Sequence, residues 1–342
     1  MEKIIIHNFL NLTDIEFELS EINLLIGPQA QGKSIVAKLI FFFKNFFLNY
    51  RTSIVQEQRK NEFDKSICEE FKEIFPEYTW NHQDFEIIYC FSNYSICLET
   101  KLLSKGKRKL SLIYSDELSK IRRKLLKNYG QSDRKTNYEE KLQVFLATSV
   151  NRKYETLNKL LSQHLFESEQ NKIEEPIFIP AGRSFFANLQ NNIFSLLSKN
   201  ISIDYFLKEF GFNYEIVKNS YNFLQSSIFE NYPEIDQLIS QILVGRYSYE
   251  QRQDWLYSLD NQRKINLSNA SSGQQEALPM TTILAILPFI RSSDRLFIIE
   301  EPEAHLFPNS QKHIIELISL VFNLTGKKHR FLITTHSPYI LT

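Results

Sequence analysis

Two stretches of this chain carry residue types at spacings that could do chemistry. GPQAQGKS runs from Gly27 to Ser34, and FIIEEPEAH, from Phe297 to His305, sets Glu300, Glu301 and Glu303 within four positions after an apolar run. Gly27 and Gly32 let the intervening Pro28, Gln29, Ala30 and Gln31 wrap so that backbone N–H groups turn inward. A helix starting there adds the positive end of its dipole, which makes the loop a phosphate cradle. In the pattern G-x-x-x-x-G-K-S, Lys33 is expected to reach the β- and γ-phosphates of a nucleotide and the Ser34 hydroxyl to ligate Mg2+.

Such a loop needs an acidic residue at the end of a neighbouring strand. RLFIIE supplies Glu300 for the metal side, and Glu301, one step further, is placed to polarise an attacking water. Taken alone, an acidic strand end reads as a solvated edge or a helix cap; the phosphate loop is what assigns it chemistry. Two further pieces belong to the same set. SSGQQ, Ser271 to Gln275, opens a helix about twenty-five residues earlier, and His336 in TTHSP follows the last strand. By itself SSGQQ is a simple cap and His336 a satisfied structural histidine, and both gain meaning only from the motifs around them.

The elements that must position these groups are legible in the pattern of apolar residues. KIIIHNF, IEFEL and INLLIG read as strands, and a helix is expected from Ser34 to about Leu48. That helix is apolar on nearly every side, so Phe41, Phe42, Phe43, Phe46 and Phe47 read as core, with stacking on a cofactor as the alternative. DFEIIYCF, YSICLETKL and KLSLIY predict an antiparallel sheet. Residues 116 to 171 turn helical and polar, and shorter helical pieces fill 184 to 250 after the strand PIFIPAGR. WLYSLDNQRKINL predicts a hairpin. RLFIIE and HRFLITTH, near-continuous apolar runs separated by a helix from about Pro308, predict a parallel sheet covered on both faces.

Forty basic and forty acidic residues cancel over 342 positions, so no whole-molecule field points to a nucleic acid. A local excess exists between 101 and 135, where twelve Lys or Arg stand against three acids. Gathered on one face, with Tyr114 and Tyr129, these would bind DNA; spread out, they are a solvated helical face or a protein-docking surface. Cys68, Cys90 and Cys97 cannot all pair and lack metal spacing, which fits reduced thiols in a cytoplasmic protein. No signal peptide or membrane span is expected.

The loop, the Ser-Gly-Gln segment, the strand ending in two acids and the late histidine stand in the order of the ATP-binding-cassette class of ATPase heads, which the chain resembles. The wording KIIIHNFLNLTDIEFEL, EEPEAHLFP and THSPYILT is closest to the branch that includes SMC, RecF and overcoming-lysogenization-defect (OLD) ATPases. PAGR, Pro180 to Arg183, is similar to OLD-like ATPases of bacterial phage defence. The resemblance implies an α/β P-loop NTPase with a mixed β-sheet core, an antiparallel β-subdomain and a mainly helical insertion. It implies a homodimer or higher homo-oligomer that sandwiches ATP and Mg2+, with Ser272 and Gly273 of one subunit capping the γ-phosphate held by Lys33 of the other, and Ser271 and Gln274 beside them in the cofactor-binding set. Glu303 would then fall at the subunit seam as an interface or positioning group, and His336 would contact γ-phosphate and water.

The expected divisions are a first lobe over 1–100, an insertion over 101–265 with strand 176–180 returning to the head, and a second lobe over 266–342. Gln29 and Gln31 depart from the family's usual loop, and no glutamine closes PIFIPAGR, so Arg183 either takes over γ-phosphate sensing or is a surface arginine opening a helix. No nuclease constellation is present, and the chain stops soon after His336, which implies a shortened chain or an effector carried by a separate polypeptide. Three functions follow: an ATPase controlling such an effector, a DNA-repair ATPase of the RecF/SMC kind, or a nucleotide-binding scaffold without turnover.

Overall fold

The computed structural model describes residues 2–103, 108–132, 173–187, 203–260, 263–290 and 294–341. They form two compact units, one from residues 1–19 and 38–175, the other from residues 20–37 and 176–342.

The first unit is built on a five-stranded antiparallel sheet, in the order β2-β1-β4-β5-β6, from β1 (Glu2–Phe9), β2 (Leu12–Glu18), β4 (Glu86–Phe91), β5 (Tyr94–Leu102) and β6 (Arg108–Tyr114). Helix α1 (Lys33–Val55) begins in the second unit and continues into this one, seven residues beyond the expected Leu48. Its phenylalanines are core: Phe43 stacks on Tyr89 at 5.1 Å, and Phe42, Phe46 and Phe47 meet Phe71, Phe63 and Phe91 edge-on. Helix α2 (Lys60–Ile74) buries Phe63, Ile67, Phe71 and Ile74, one stripe at helical spacing. Helix α3 (Asp116–Ser132) follows β6. The rest of the expected helical stretch to residue 171 lies outside the described residues.

The second unit carries the four-stranded sheet β3-β12-β11-β7, from β3 (Ile22–Ile26), β7 (Glu175–Ile179), β11 (Arg295–Glu300) and β12 (Arg330–Thr335). β12 pairs in parallel with both β3 and β11. Helices α4 (Tyr205–Asn231), α5 (Pro233–Leu243), α6 (Ser272–Ile290) and α7 (Pro308–Leu324) share one core with these strands. A small antiparallel sheet, β8 (Arg246–Glu250), β9 (Gln253–Tyr257) and β10 (Lys264–Asn266), contains the expected hairpin plus a strand that sequence reading had placed among helices.

Of the expected divisions, 1–100 and 101–265 each contribute to both units and 266–342 to the second. Phe210, Tyr214, Val217, Ile235 and Ile239 of α4 and α5 sit in the same cluster as Leu278 and Ile283 of α6 and Leu317 of α7. That places them in the second unit's core. No helix among the described residues is long and apolar enough to cross a membrane.

Candidate active site

The phosphate loop sits where the strand pattern put it, between the end of β3 at Ile26 and the start of α1 at Lys33. Asn23, a residue sequence reasoning passed over, anchors the strand: its side chain donates to the Ser20 carbonyl at 2.8 Å and the Phe331 carbonyl at 3.1 Å, and accepts from Ser20 N–H. Gly32 has φ +87° and Ala30 φ +60°. The loop thus adopts left-handed backbone at two places, and at Gly32 the absence of a side chain lets it do so without strain. Ser34 is exposed on the first turn of α1.

Parallel register decides what meets this loop. Ile26 lies opposite Thr335, and Glu300 opposite Thr334, so β3, β11 and β12 end together. The residues just past their carboxyl ends converge there, the usual place for ligands in such sheets. His336 Nδ1 is 2.9 Å from the Gly27 carbonyl and 3.2 Å from Lys33 Nζ, while its Nε2 is 2.7 Å from Glu301 Oε1. Lys33 Nζ itself donates to the Gly27 and Pro28 carbonyls at 2.6 and 2.7 Å. An open depression of about 530 Å³ is lined by Ile26, Gly27, Pro28, Gln29 and His336. Gly27, Lys33, Glu301 and His336, up to 309 positions apart, thus form one polar group.

The three carboxylates of the acidic stretch have separate surroundings. Glu300 ends β11 and is buried; Glu301 is half-exposed and holds φ +43°, unusual for a side chain of its size. Such backbone persists only when its surroundings impose it, and the donors that do so here are identifiable. Arg183 Nη1 donates to the Glu300 carbonyl at 2.8 Å and the Pro180 carbonyl at 2.9 Å, and Nη2 to the Glu301 carbonyl at 3.0 Å. Its Nε donates to the Glu276 carbonyl at 3.1 Å and lies 3.5 Å from that residue's carboxylate. Burial lowers the guanidinium from its ordinary value, opposed by the carboxylates of Glu276, Glu300, Glu303 and Glu301.

The expectation of a surface arginine is corrected by this geometry. Arg183 is fully buried, and its guanidinium is engaged in bracing the backbone of Glu300 and Glu301 rather than turned to solvent. Glu276, its partner, is a second residue missed. The signal was a single acid among apolar neighbours in Glu276–Pro288, since a carboxylate buried in such a helix requires a cation.

Glu303 turns inward within its own chain: one oxygen, Oε1, accepts from Thr335 Oγ1 at 2.5 Å, His336 N–H at 2.8 Å and Ser337 N–H at 3.2 Å. The Ser-Gly-Gln segment forms a separate structure. Ser271 Oγ accepts from Gln274 N–H while Gln274 Oε1 accepts from Ser271 N–H, a reciprocal cap at the start of α6. Gln274 Nε2 donates to the Leu243 carbonyl at 2.7 Å. Ser272 is exposed. A Cβ on Gly273 would stand 2.8 Å from the His305 carbonyl oxygen, which gives that glycine a packing reason independent of any ligand.

Part of the basic excess between 101 and 135 is used internally. Arg122 is buried, donating to Ser53 Oγ and the Gln58 carbonyl at 2.6 Å each, and it lies over the Tyr50 and Phe63 rings. Arg108 pairs with Asp84, and Lys101 with Glu99. Lys105, Lys107, Lys127, Tyr129, Arg134 and Lys135 lie outside the described side chains.

A family model described as AAA ATPase domain matches residues 1–341. Among solved structures, the chain is similar to an SMC head bound to the C-terminal winged-helix domain of ScpA, at 12% identity and TM-score 0.44, covering 99% of this chain and 90% of that one. It is also similar to the SMC head domain from Thermotoga maritima, at 13% identity and TM-score 0.41, covering 99% and 90%. A third is the recombination mediator protein RecF-ATPrS of the RecFOR pathway, at 14% identity and TM-score 0.31, covering 99% and 93%. No curated protein matches the chain.

Proposed function

The chain belongs to the AAA ATPase domain family, and from that premise we propose that it binds ATP on the Gly27–Ser34 loop and hydrolyses it with Glu301 as general base. The observation that carries this reading is the contact of 2.7 Å between Glu301 and His336, with His336 also 3.2 Å from Lys33. It places the phosphate-binding lysine, the histidine and a carboxylate side by side in one polar cluster. In binding, Lys33 exchanges the carbonyls of Gly27 and Pro28 for phosphate oxygens, a charge-assisted and therefore stronger acceptor. Backbone N–H groups of the loop and the start of α1 take the remaining phosphate charge.

Glu301 receives the proton of the attacking water, a role worth about 10²–10⁴ in rate. His336 holds one carboxylate oxygen of Glu301, which leaves the other for water. Ser34 and Glu300 offer hard oxygen donors that suit Mg2+. Bound there, the ion would offset charge on the β- and γ-phosphoryl oxygens. Arg183 acts beneath, fixing the carbonyls of both glutamates.

Exposed Ser272 and the helix start behind it support a homo-oligomeric ATP sandwich, with Ser272 and Gly273 meeting a nucleotide on a second copy. The finer reading, an OLD-like subunit whose ATP-driven assembly controls a separate effector in phage defence, is carried by EEPEAHLFP and PAGR. The DNA-clamping alternative is less favoured, because Arg122 and Arg108 already have partners within the chain. The test is steady-state ATP hydrolysis by the purified chain. Glu301→Gln is expected to retain ATP and to lower turnover by at least about a hundredfold. Turnover near wild type in that variant removes Glu301 as the base.

A further inference from the structure

We infer that Glu303 is the residue that positions His336, and that it acts within one chain to set the geometry between the histidine and Glu301. Three donors on consecutive residues, the Thr335 hydroxyl and the N–H groups of His336 and Ser337, converge on one oxygen of its carboxylate at 2.5, 2.8 and 3.2 Å. An anion gathering three donors fixes the backbone that leaves β12 more firmly than a neutral turn would. The second oxygen, Oε2, is buried without a hydrogen-bond partner among the described residues, so the side chain's hydrogen bonding is directed to this one segment. Ser337 is held again from the other side, its N–H on Thr335 Oγ1 at 3.0 Å and its hydroxyl on Gln311 Oε1 at 2.7 Å.

The same short turn carries the base. Ala304 N–H donates to the Glu301 carbonyl at 3.1 Å and Leu306 N–H to the Glu303 carbonyl at 2.9 Å, so Glu301 and Glu303 belong to one hydrogen-bonded loop. That loop grips His336 twice, at the ring through Glu301 and at the backbone through Glu303. With the amide of His336 fixed, the side chain starts from a set place, and the ring's own contacts put Nδ1 at the Gly27 carbonyl and Nε2 at Glu301. A displacement near 1 Å in such a group costs on the order of a hundredfold in rate.

The kinetic part of the test rests on the ATPase reading above; the exchange part does not. Glu303→Ala is expected to lower kcat at least about tenfold with KM within about twofold, and to add no further loss to His336→Ala. Glu303→Gln keeps an acceptor oxygen and is expected to recover turnover to within about threefold. Amide hydrogen exchange at His336 and Ser337 is expected to quicken at least about tenfold in Glu303→Ala and not in Glu303→Gln. Full activity of Glu303→Ala, or losses that add to those of His336→Ala, overturns the positioning role. Unchanged protection at both amides overturns the anchor itself. A wild-type chain without ATP turnover refutes the proposed function, and the exchange result then decides Glu303 alone.

Discussion

Replacing Arg183 with Met keeps most of the side-chain volume and removes the charge and its hydrogen bonds. The guanidinium serves four carbonyls, those of Pro180, Glu276, Glu300 and Glu301, and it neutralises the buried Glu276 carboxylate. Breaking a buried ion pair by deleting one partner costs about 3–5 kcal/mol, because the remaining charge is stranded. For a unit of this size each kcal/mol lowers the melting temperature by about 2–4 °C, so the expected fall is on the order of 6–20 °C. The double variant Arg183→Met/Glu276→Leu removes the stranded charge and should recover part of that loss, offset by the residue-183 N–H, which loses its acceptor on Glu276. Both are read by thermal unfolding followed by circular dichroism. A single variant melting within about 2 °C of wild type refutes the brace. ATP hydrolysis measured well below the melting temperature should remain depressed in the double variant, since the Glu300 and Glu301 carbonyls stay unsupported.

Gly273→Ala brings a Cβ to 2.8 Å from the backbone oxygen of His305, and overpacking of that kind costs about 1–3 kcal/mol, seen as a lower melting temperature; an unchanged one removes the contact from the account. Cys97, whose thiol is pushed up to about 12 by burial and by Glu86 and Glu99, should react with iodoacetamide at pH 8.5 at least about a hundredfold slower than in the unfolded chain. Because the folded value is the raised one, the stability linked to this thiol is complete below the ordinary value of 9.0 and is lost as pH rises towards about 12, and a stability curve flat over that window contradicts the assignment.

Much of the fold follows from periodicity. β1, β3, β11 and β12 were legible as apolar runs, and the loop between β3 and α1 as glycines at a fixed spacing. β8 was not: RYSYE is short, polar and aromatic, and it becomes a strand by pairing with β9. Nor was the membership of α4 and α5 in the second unit's core, because an amphipathic helix announces that one face is buried without saying against what.

The site divides along the same line. The local sequence determined which residues could cradle a phosphate and that a pair of glutamates would end a buried strand, since a glycine spacing and a strand end are properties of neighbours in the chain. What Arg183 and Glu303 do was decided only by the tertiary structure. An arginine after a strand and a third glutamate after a proline carry no local sign of their partners. Those partners, the Glu300 and Glu301 carbonyls 117 and 118 positions from Arg183, and the backbone of His336 33 positions from Glu303, are set by which strands lie side by side in the sheet. A buried charge takes its role from whatever donors or acceptors packing leaves around it, because water is not there to satisfy it instead.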